Sequence, residues 1–404
     1  MSGAGAEQER PYGNGWSSYP GGRQAGPPQT RGMRILVAGL TGQVGQGLLE
    51  ACREAGDEAP EVIALVRRRP RAPQVFGPAV TQQVVGDVCG PGWGLGEAGL
   101  EALGRIDAVI NLAGATDWTA SHAVLDRVNV LGAAHGLDVA QQLSERLGAA
   151  VPYLYAGSVF VAGLTEGRVT EDLLTPESDR TPYELSKWTA ERSLMTRARH
   201  DGHPVLVARI GGVVGNSATG RTTRRSSLYQ LVSRRDEDKA LRVLPAQRGA
   251  RVDTLPRDVI GESLLRVLAH GRTTAFVAWR SGVVAQVAAG ERAPTLAAIL
   301  AQLESVDEGS RYHVPRLVPV SLRTLETVTR VGTRYVRWSR QAGNRLHGLR
   351  YTSVNRVFER GRLAGLTGGW LPAVPLETVL RVTFDLAERP VDAPTAELPL
   401  GRFQ

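Results

Sequence analysis

The chain has 404 residues, of which 42% are hydrophobic, and a net charge of +8 at pH 7. This length and composition are enough for a full hydrophobic core, and they favour one large α/β domain with an extension. No run reaches the roughly 18 to 20 apolar residues that a membrane-spanning helix needs. The two cysteines, Cys52 and Cys89, are too few for a disulfide framework. We therefore expect a protein of the reducing cytoplasm.

The basic charge is compatible with nucleic acid, an anionic membrane surface, or phosphate-bearing substrates and carriers. Against nucleic acid, the sequence lacks zinc-ligand spacing, a basic region joined to heptads and an aromatic-rich RNA-binding motif. The seven histidines are scattered, and His200 and His203 have no third ligand nearby. No nucleic-acid partner and no metal are therefore expected.

Candidate strands alternate with candidate helices from residue 33 to about residue 280. Strands are predicted at 33–38, 61–66, 79–85, 107–112, 151–155 and 204–209, and helices near 43–54, 124–147 and 182–200. This alternation is typical of a Rossmann-type, doubly wound parallel sheet with right-handed crossovers.

The flanks of this 33–280 domain differ in composition. Residues 1–32 are rich in Gly, Pro, Ser and Gln, which predicts a disordered tail, and they lack the apolar core of a secretory signal. Residues 281–390 are expected to form a smaller, mostly helical substrate-binding or lid region, followed by a tail at 391–404. Within it, segment 322–340 predicts an amphipathic helix that could pack on the main domain, cover the substrate, dock an acidic carrier protein or contact a membrane surface.

A glycine-rich turn directly follows the first strand. Gly39, Gly42 and Gly45 are spaced three residues apart, and an apolar-periodic helix follows them. Glycines at a strand-to-helix turn let the backbone approach a pyrophosphate, whose charge is met by the helix N-terminus. A turn without a ligand would use the same residue type, so the position after a strand is what favours a dinucleotide site.

Arginines stand at the end of the second strand, at Arg67, Arg68 and Arg69. An acidic residue at this place in a dinucleotide fold binds the adenosine ribose hydroxyls, whereas an arginine accommodates a 2′-phosphate. Arg67 therefore favours NADPH over NADH, with solvated loop arginines as the alternative. Asp87, after the third strand, is placed to accept from an adenine amino group, although an Asp in a turn needs no ligand.

Lys187 is one of only two lysines in the chain, and it follows Tyr183 by four residues. In a helix this step places the phenol and the ammonium on one face, one turn apart. A lysine kept in so arginine-rich a chain suggests a use for an ammonium whose pKa shifts readily on burial. The pair is typical of proton transfer, and a solvated surface lysine is the alternative.

Together these features resemble the extended short-chain dehydrogenase/reductase superfamily over about residues 33–280. The glycine turn is similar to the family's Thr-Gly-x-x-Gly-x-x-Gly, with Ala38 in place of the threonine, and Tyr183 and Lys187 match its Tyr-x-x-x-Lys. Segment 109–115 resembles the strand-four motif beside the cofactor.

Three further positions complete the resemblance or depart from it. Segment 155–163 resembles the strand-five motif whose Ser or Thr is catalytic, here Ser158, although Gly157 replaces the residue before it. Asn129 falls on the family's Asn-x-x-Gly. Ile210 replaces the usual proline after the sixth strand.

The resemblance implies hydride transfer from NADPH to a carbonyl. Tyr183 would donate its proton to the carbonyl oxygen, Ser158 would hydrogen-bond that oxygen, and Lys187 would acidify the phenol and bind the nicotinamide ribose. Asn129 would order the helix or a water relay, or would simply satisfy backbone groups. The implied cofactor-binding residues are Gly39, Thr41, Gly42, Gln43, Val44, Gly45, Arg67, Asp87, Val88, Leu112, Ala113, Gly114, Lys187 and Ile210.

Within the superfamily, segments 86–95, 183–191 and 214–220 are similar to the branch of fatty acyl-CoA reductases and thioester reductase domains. This implies reduction of an acyl thioester, on CoA or an acyl carrier protein, to an aldehyde or alcohol in lipid or secondary-metabolite synthesis. Residues 286–300 instead resemble nucleotide-sugar epimerases. An epimerase, dehydratase or hydroxyl dehydrogenase on a small molecule, and a non-catalytic NADPH-binding sensor, therefore stay open, as does a homodimer.

Overall fold

The computed structural model describes residues 26–68, 76–175, 180–223, 227–230, 232–234, 242–247, 249–306, 312–335 and 347–384. The predicted tail at 391–404 and most of the tail at 1–32 lie outside these ranges. At residue 30 the chain is already packed on the domain, because Thr30 is fully buried and its Oγ1 donates to the Glu58 carbonyl at 2.7 Å.

The core of the described chain is a parallel sheet of seven strands. Its strands are β1 Arg34–Ala38, β2 Glu61–Val66, β3 Val80–Val85, β4 Ala108–Asn111, β5 Tyr153–Ser158, β7 Val205–Ile210 and β12 Val283–Val287. In spatial order the sheet runs β3, β2, β1, β4, β5, β7 and β12. The strand order reverses between β1 and β4, so the carboxyl ends of these two strands border a crevice where a ligand can bind.

The predicted Rossmann-type sheet is confirmed. Each of the six predicted strands is present, with ends that shift by up to three residues. Strand β5 continues to Ser158, beyond the expected end at residue 155. The edge strand β12 was not predicted, and it pairs with β7 from beyond residue 280.

Helices cover both faces of the sheet. They are α1 Gln43–Ala55, α2 Gly96–Leu103, α3 His122–Leu125, α4 Gly132–Leu147, α5 Pro182–Asp201, α6 Arg257–Thr273, α7 Leu296–Val306, α8 Leu322–Tyr335, α9 Gly361–Leu366 and α10 Leu376–Phe384. The helix predicted near 124–147 is interrupted by a π-helical turn at Asp126–Leu131, which contains Asn129. Every helix in the described ranges is too short or too polar to cross a bilayer.

Helices α1 and α6 cross at unusually short range. A Cβ at Gly47 would lie 1.9 Å from the Arg257 carbonyl oxygen, and one at Gly261 would lie 2.1 Å from the Gly47 carbonyl oxygen. Only glycine at both positions allows this approach, because the backbones themselves are in contact. The crossing holds α1 against the sheet behind the glycine-rich turn.

The C-terminal region returns to the main domain through short strands. β15 Arg356–Phe358 pairs in parallel with β6 Gly167–Val169, and β14 Arg316–Pro319 pairs with β10 Val243–Ala246. Further small pairs join β8 Gly212–Val214 to β11 Thr254–Pro256 and β9 Ser233–Arg234 to β13 Tyr312–His313. The predicted amphipathic helix is present as α8, and residues 336–340 of the prediction lie outside the described chain.

Candidate active site

The glycine-rich turn is built for close backbone approach. Gly39 has a φ of +89°, and a Cβ on it would lie 2.4 Å from the backbone nitrogen of Ala113, in the turn after β4. A Cβ on Gly45 would lie 2.4 Å from the Gly39 carbonyl oxygen. Gly42 is the N-cap of α1, without a side-chain cap and without an acidic residue in the first turn. The first-turn N–H groups of α1 therefore suit a phosphate.

Gln43, in the first turn of α1, connects the glycine-rich turn to the loop after β8. Its Oε1 accepts from the backbone nitrogen and the hydroxyl of Thr223, each at 2.9 Å. Nearby, Thr41 is exposed and Val44 is half-buried. Val44 packs on the hydrophobic core, so its contribution to a cofactor site comes from the backbone.

The predicted adenosine end of the site lies beyond β2 and β3. Arg67 is exposed there, and the Asp87 carboxylate accepts from the backbone nitrogen of Cys89 at 2.9 Å, so it caps its own turn. Val88 is half-buried against Gly132. Burial and the Asp87 carboxylate raise the pKa of the Cys89 thiol, and the charges of Arg127 and Arg67 oppose this rise. Arg127 was not anticipated, and it adds a second guanidinium close to the turn.

Lys187 is buried on α5, with 4% of its surface exposed. Its Nζ donates to the Tyr155 hydroxyl at 3.0 Å and to the Ala156 carbonyl at 3.0 Å. Burial lowers its pKa to about 7. The solvated surface lysine is thereby excluded, since this ammonium is held inside the protein by two uncharged acceptors on β5.

Tyr183 and Ser158 are presented by the start of α5 and the end of β5. Thr181 and Glu184 form a capping box, which fixes where α5 begins and places Tyr183 in its first turn. Tyr183 is 6% exposed and Ser158 is 4% exposed. The Ser158 Oγ accepts from the backbone nitrogen of Phe160 at 3.2 Å.

Asn129 links the turn after β4 to α5. Its side chain accepts from the backbone nitrogen of Ala115 at 2.9 Å and donates to the Ala115 carbonyl at 3.0 Å and to the Ser186 hydroxyl at 2.9 Å. Within this turn, a Cβ on Gly114 would lie 3.1 Å from the Lys187 Nζ. Asn129 therefore fixes the backbone next to Lys187. This agrees with the alternative in which Asn129 satisfies backbone groups.

The remaining predicted residues lie at the strand ends around this turn. Leu112 and Ala113 are half-buried next to the Gly39 backbone, and the Asn111 side chain accepts from the Ala113 nitrogen at 3.0 Å. Ile210 ends β7, is 5% exposed, and is paired in register with Ser158. The carboxyl ends of β1, β4, β5 and β7 thus bring the predicted catalytic and nicotinamide-side residues to one crevice.

The sequence analysis did not predict an aromatic cluster beside Tyr183. Trp118 stacks on Tyr183 with ring centroids 5.4 Å apart, and Phe160 and Tyr351 meet the Trp118 ring edge-on at 5.1 and 5.3 Å. The Tyr351 hydroxyl donates to Glu184, the residue after Tyr183. A sequence signal exists for two of these residues, because Trp118 and Phe160 closely follow the ends of β4 and β5. Tyr351 gives none, since it is 167 residues from Glu184.

The chain is similar to known proteins in sequence and in fold. Residues 78–264 match the family model described as "Male sterility protein". Over this stretch, a little under half of the chain, the sequence is similar to a male sterility-type NAD-binding domain. The prediction of an extended short-chain dehydrogenase/reductase, an oxidoreductase family that uses a nicotinamide cofactor, is confirmed.

Relatives of this domain occur in large synthetases. The chain is 31% identical over 236 residues to an isonitrile lipopeptide synthase of Streptomyces coeruleorubidus, an alignment of 53% of this chain and 15% of that protein. Across the curated relatives that it matches, the chain spans between 4% and 20% of their lengths. The matches therefore concern one part of each relative.

Two solved structures share the fold. The terminal R domain from the myxalamid PKS-NRPS biosynthetic pathway aligns with a TM-score of 0.65 and 20% identity, covering 90% of this chain and 92% of that one. A thiolation-reductase di-domain from an archaeal non-ribosomal peptide synthetase aligns with a TM-score of 0.59 and 15% identity, covering 87% and 74%. At these identities the likeness concerns the fold, which extends through the C-terminal region.

Proposed function

We propose that this protein reduces an acyl thioester, held on CoA or an acyl carrier protein, with NADPH as the hydride donor. The observation that carries the proposal is the buried Lys187, one helical turn after Tyr183 on α5 and bonded to Tyr155 and Ala156 on the strand that ends at Ser158. The synthase and the thiolation-reductase di-domain named above support a carrier-bound thioester as the substrate.

The residues of the crevice fit a dinucleotide. A Cβ at Gly39 or Gly45 would collide with neighbouring backbone atoms, so only glycine fits at these positions. The first turn of α1 has no side-chain cap, and its N–H groups can bind a pyrophosphate. Arg67 supports the phosphorylated cofactor, because a guanidinium binds a 2′-phosphate with charge-assisted hydrogen bonds. When bound, the cofactor supplies a hydride.

The side chains of this chain would handle the charge that hydride transfer creates. As the carbonyl carbon gains hydride, its oxygen becomes negative, and Ser158 stabilises that oxygen while Tyr183 gives it the phenolic proton. Lys187, one helical turn along α5 from Tyr183, would favour loss of this proton through its positive charge. The product of the step is a hemithioacetal.

The hemithioacetal then breaks its carbon–sulfur bond and releases an aldehyde and the carrier thiol. A second molecule of NADPH would deliver hydride to the aldehyde carbon, and Tyr183, reprotonated from solvent, would again give the proton, so that the product would be an alcohol. The aromatic cluster of Trp118, Phe160 and Tyr351 excludes water from the phenol, which strengthens the electrostatic interactions in the site.

Tyr183→Phe tests the proposal. Purified protein should oxidise NADPH when acyl-CoA or acyl-carrier thioesters are added, and loss of the proton donor should lower kcat by roughly 10²- to 10⁴-fold. Binding of NADPH, followed by fluorescence, should be retained. Tyr312→Phe, which removes a phenol of the C-terminal region that bonds to Phe384, serves as the control.

Three results would contradict the proposal in different ways. Turnover of a nucleotide sugar without any turnover of thioesters would place the protein among the epimerases and dehydratases. Oxidation of a small hydroxyl compound alone would indicate a dehydrogenase. Tight NADPH binding without turnover of any carbonyl would indicate a sensor.

A further inference from the structure

The Lys187 ammonium has an unusual set of neighbours for a buried charge. An ammonium has three N–H donors, and two of them are bonded to the Tyr155 hydroxyl and the Ala156 carbonyl. The third side faces the turn after β4, where a Cβ on Gly114 would lie 3.1 Å from Nζ. The two bonds to β5 therefore direct the remaining N–H toward the crevice.

Tyr155 is itself fixed in one orientation. Its hydroxyl donates to the Asn129 carbonyl at 3.2 Å, so its lone pairs are turned toward Lys187. Burial raises the pKa of Tyr155 well above its ordinary value, and the hydroxyl stays protonated as a neutral acceptor. The Lys187 Nζ lies 4.7 Å from the centroid of the Tyr155 ring, at the hydroxyl end of the phenol. The neutral hydroxyl, as a hydrogen-bond acceptor, thus favours the positive charge of the lysine.

The other side chains described around Lys187 and Tyr155 are paired elsewhere or uncharged. Glu191, one turn along α5, is bound to Arg209 at 2.6 Å, and both side chains are almost completely buried. The remaining titratable side chains that act on Tyr155 are the phenols of Tyr153 and Tyr183. From the π-helical turn and α5, Asn129 and Ser186 contribute uncharged groups that bond to each other.

We propose that Tyr155 is a positioning residue, which favours the ammonium form of Lys187 and directs the third N–H of Lys187, which has no acceptor among the described residues, to the cofactor side of the site. The family resemblance assigns no part to this residue. The inference rests on the proposed function in one respect, because it takes Lys187 to act in catalysis.

The chain offers a matched control two residues away. Tyr153 lies on the same strand and the same side of the sheet, and it is equally buried. Its hydroxyl donates to the Ala133 carbonyl at 2.9 Å and accepts from the Asn111 amide at 3.1 Å, without touching Lys187. Tyr153→Phe and Tyr155→Phe therefore each remove one buried, bonded phenol hydroxyl, and only the second removes a partner of the lysine.

Lysine titration can be read directly, because the chain has only two lysines. Full-length protein labelled with carbon-13 at the lysine ε-carbon gives two resonances, and Lys187→Arg assigns them. We expect Lys187 to titrate near pH 7 in the wild-type protein. Tyr155→Phe should lower this midpoint by roughly half to one pH unit, which is the worth of one hydrogen bond. Tyr153→Phe should leave it unchanged.

Kinetics provide a second readout. The ammonium is lost as pH rises through the Lys187 pKa, so kcat/KM falls on the alkaline side. In Tyr155→Phe that alkaline limb should move to lower pH by the same amount as the titration midpoint. A purely structural loss would lower kcat/KM equally at every pH. If Tyr155→Phe does not fold, 3-fluorotyrosine placed at position 155 weakens the acceptor at nearly constant volume.

The proposal is overturned if the Lys187 midpoint in Tyr155→Phe matches the wild type, or if Tyr153→Phe moves it as far. The NMR titration needs no substrate, so it gives its answer even where every thioester fails to react. The titration thus tests the role of Tyr155, whereas thioester turnover tests the substrate class, so the two proposals can fail independently.

Discussion

Single residues set the charge of this site and, under the proposed function, its cofactor preference. The four-residue step from Tyr183 to Lys187 could be predicted because it is a property of one helix. The bond from Lys187 to Tyr155 could not, since it joins residues 32 positions apart and depends on how α5 packs on β5. The sequence also predicted that Asp87 could accept from an adenine amino group. In the structure its carboxylate accepts a hydrogen bond from the backbone of its own turn.

The proposed preference for NADPH rests on the guanidinium of Arg67. Arg67→Gln should weaken NADPH binding by roughly 10- to 100-fold, the worth of a charged hydrogen bond to the 2′-phosphate, and should leave NADH binding nearly unchanged. Dissociation constants for both cofactors, measured by fluorescence titration, check this. Arg280→Gln is the control, because Arg280 is exposed just before β12, at the opposite edge of the sheet. Equal loss of both cofactors in Arg67→Gln would contradict the assignment.

At the scale of elements, the glycines after β1 serve two separate purposes. Those of the predicted turn border the crevice, whereas Gly47 touches the backbone of α6. The spacing of Gly39, Gly42 and Gly45 could be read from the sequence as a dinucleotide turn. The partner of Gly47 could not, because Gly261 lies more than 200 residues away. The π-helical turn that breaks the predicted helix 124–147 was also not visible, since its hydrophobic pattern continues through the break.

The α1–α6 crossing predicts a stability effect without a change in chemistry. In Gly47→Ala the new methyl group would meet the Arg257 carbonyl, and the helices must separate at a cost of about 1–3 kcal/mol. Chemical denaturation measures the loss. Gly365→Ala, in α9 with nothing within 4 Å of the new Cβ, is the matched control and should be neutral or slightly stabilising. A Gly47→Ala protein as stable as the wild type would show that α6 can move away freely.

At the scale of the whole molecule, the C-terminal region is part of both the sheet and the site. Strand β12 closes one edge of the sheet, and Tyr351 reaches Glu184 beside the proposed proton donor. The sequence predicted a Rossmann-type domain followed by a smaller region, but it could not show that the two are interleaved. Long-range pairing such as β6 with β15 leaves no local pattern.

Removal of the Tyr351 hydroxyl should separate substrate turnover from cofactor binding. Tyr351→Phe deletes the bond to Glu184, a fully buried carboxylate next to Tyr183. We expect kcat/KM for the thioester to fall by about tenfold, in line with one lost charged hydrogen bond, at an unchanged dissociation constant for NADPH. Tyr312→Phe again serves for comparison. Equal losses in both variants would show that the C-terminal region matters for folding alone.

The two thiols of this protein differ in a way that an experimenter can use. Cys52 is buried in α1 and its pKa is raised to about 12, so alkylating reagents will not reach it in the folded state. Cys89 is half-exposed in the turn that begins with Asp87. A maleimide dye at alkaline pH should therefore attach at one place, beside the adenosine end of the proposed cofactor site. The native sequence thus supplies a labelling position for watching cofactor arrival, and no cysteine needs to be added or removed.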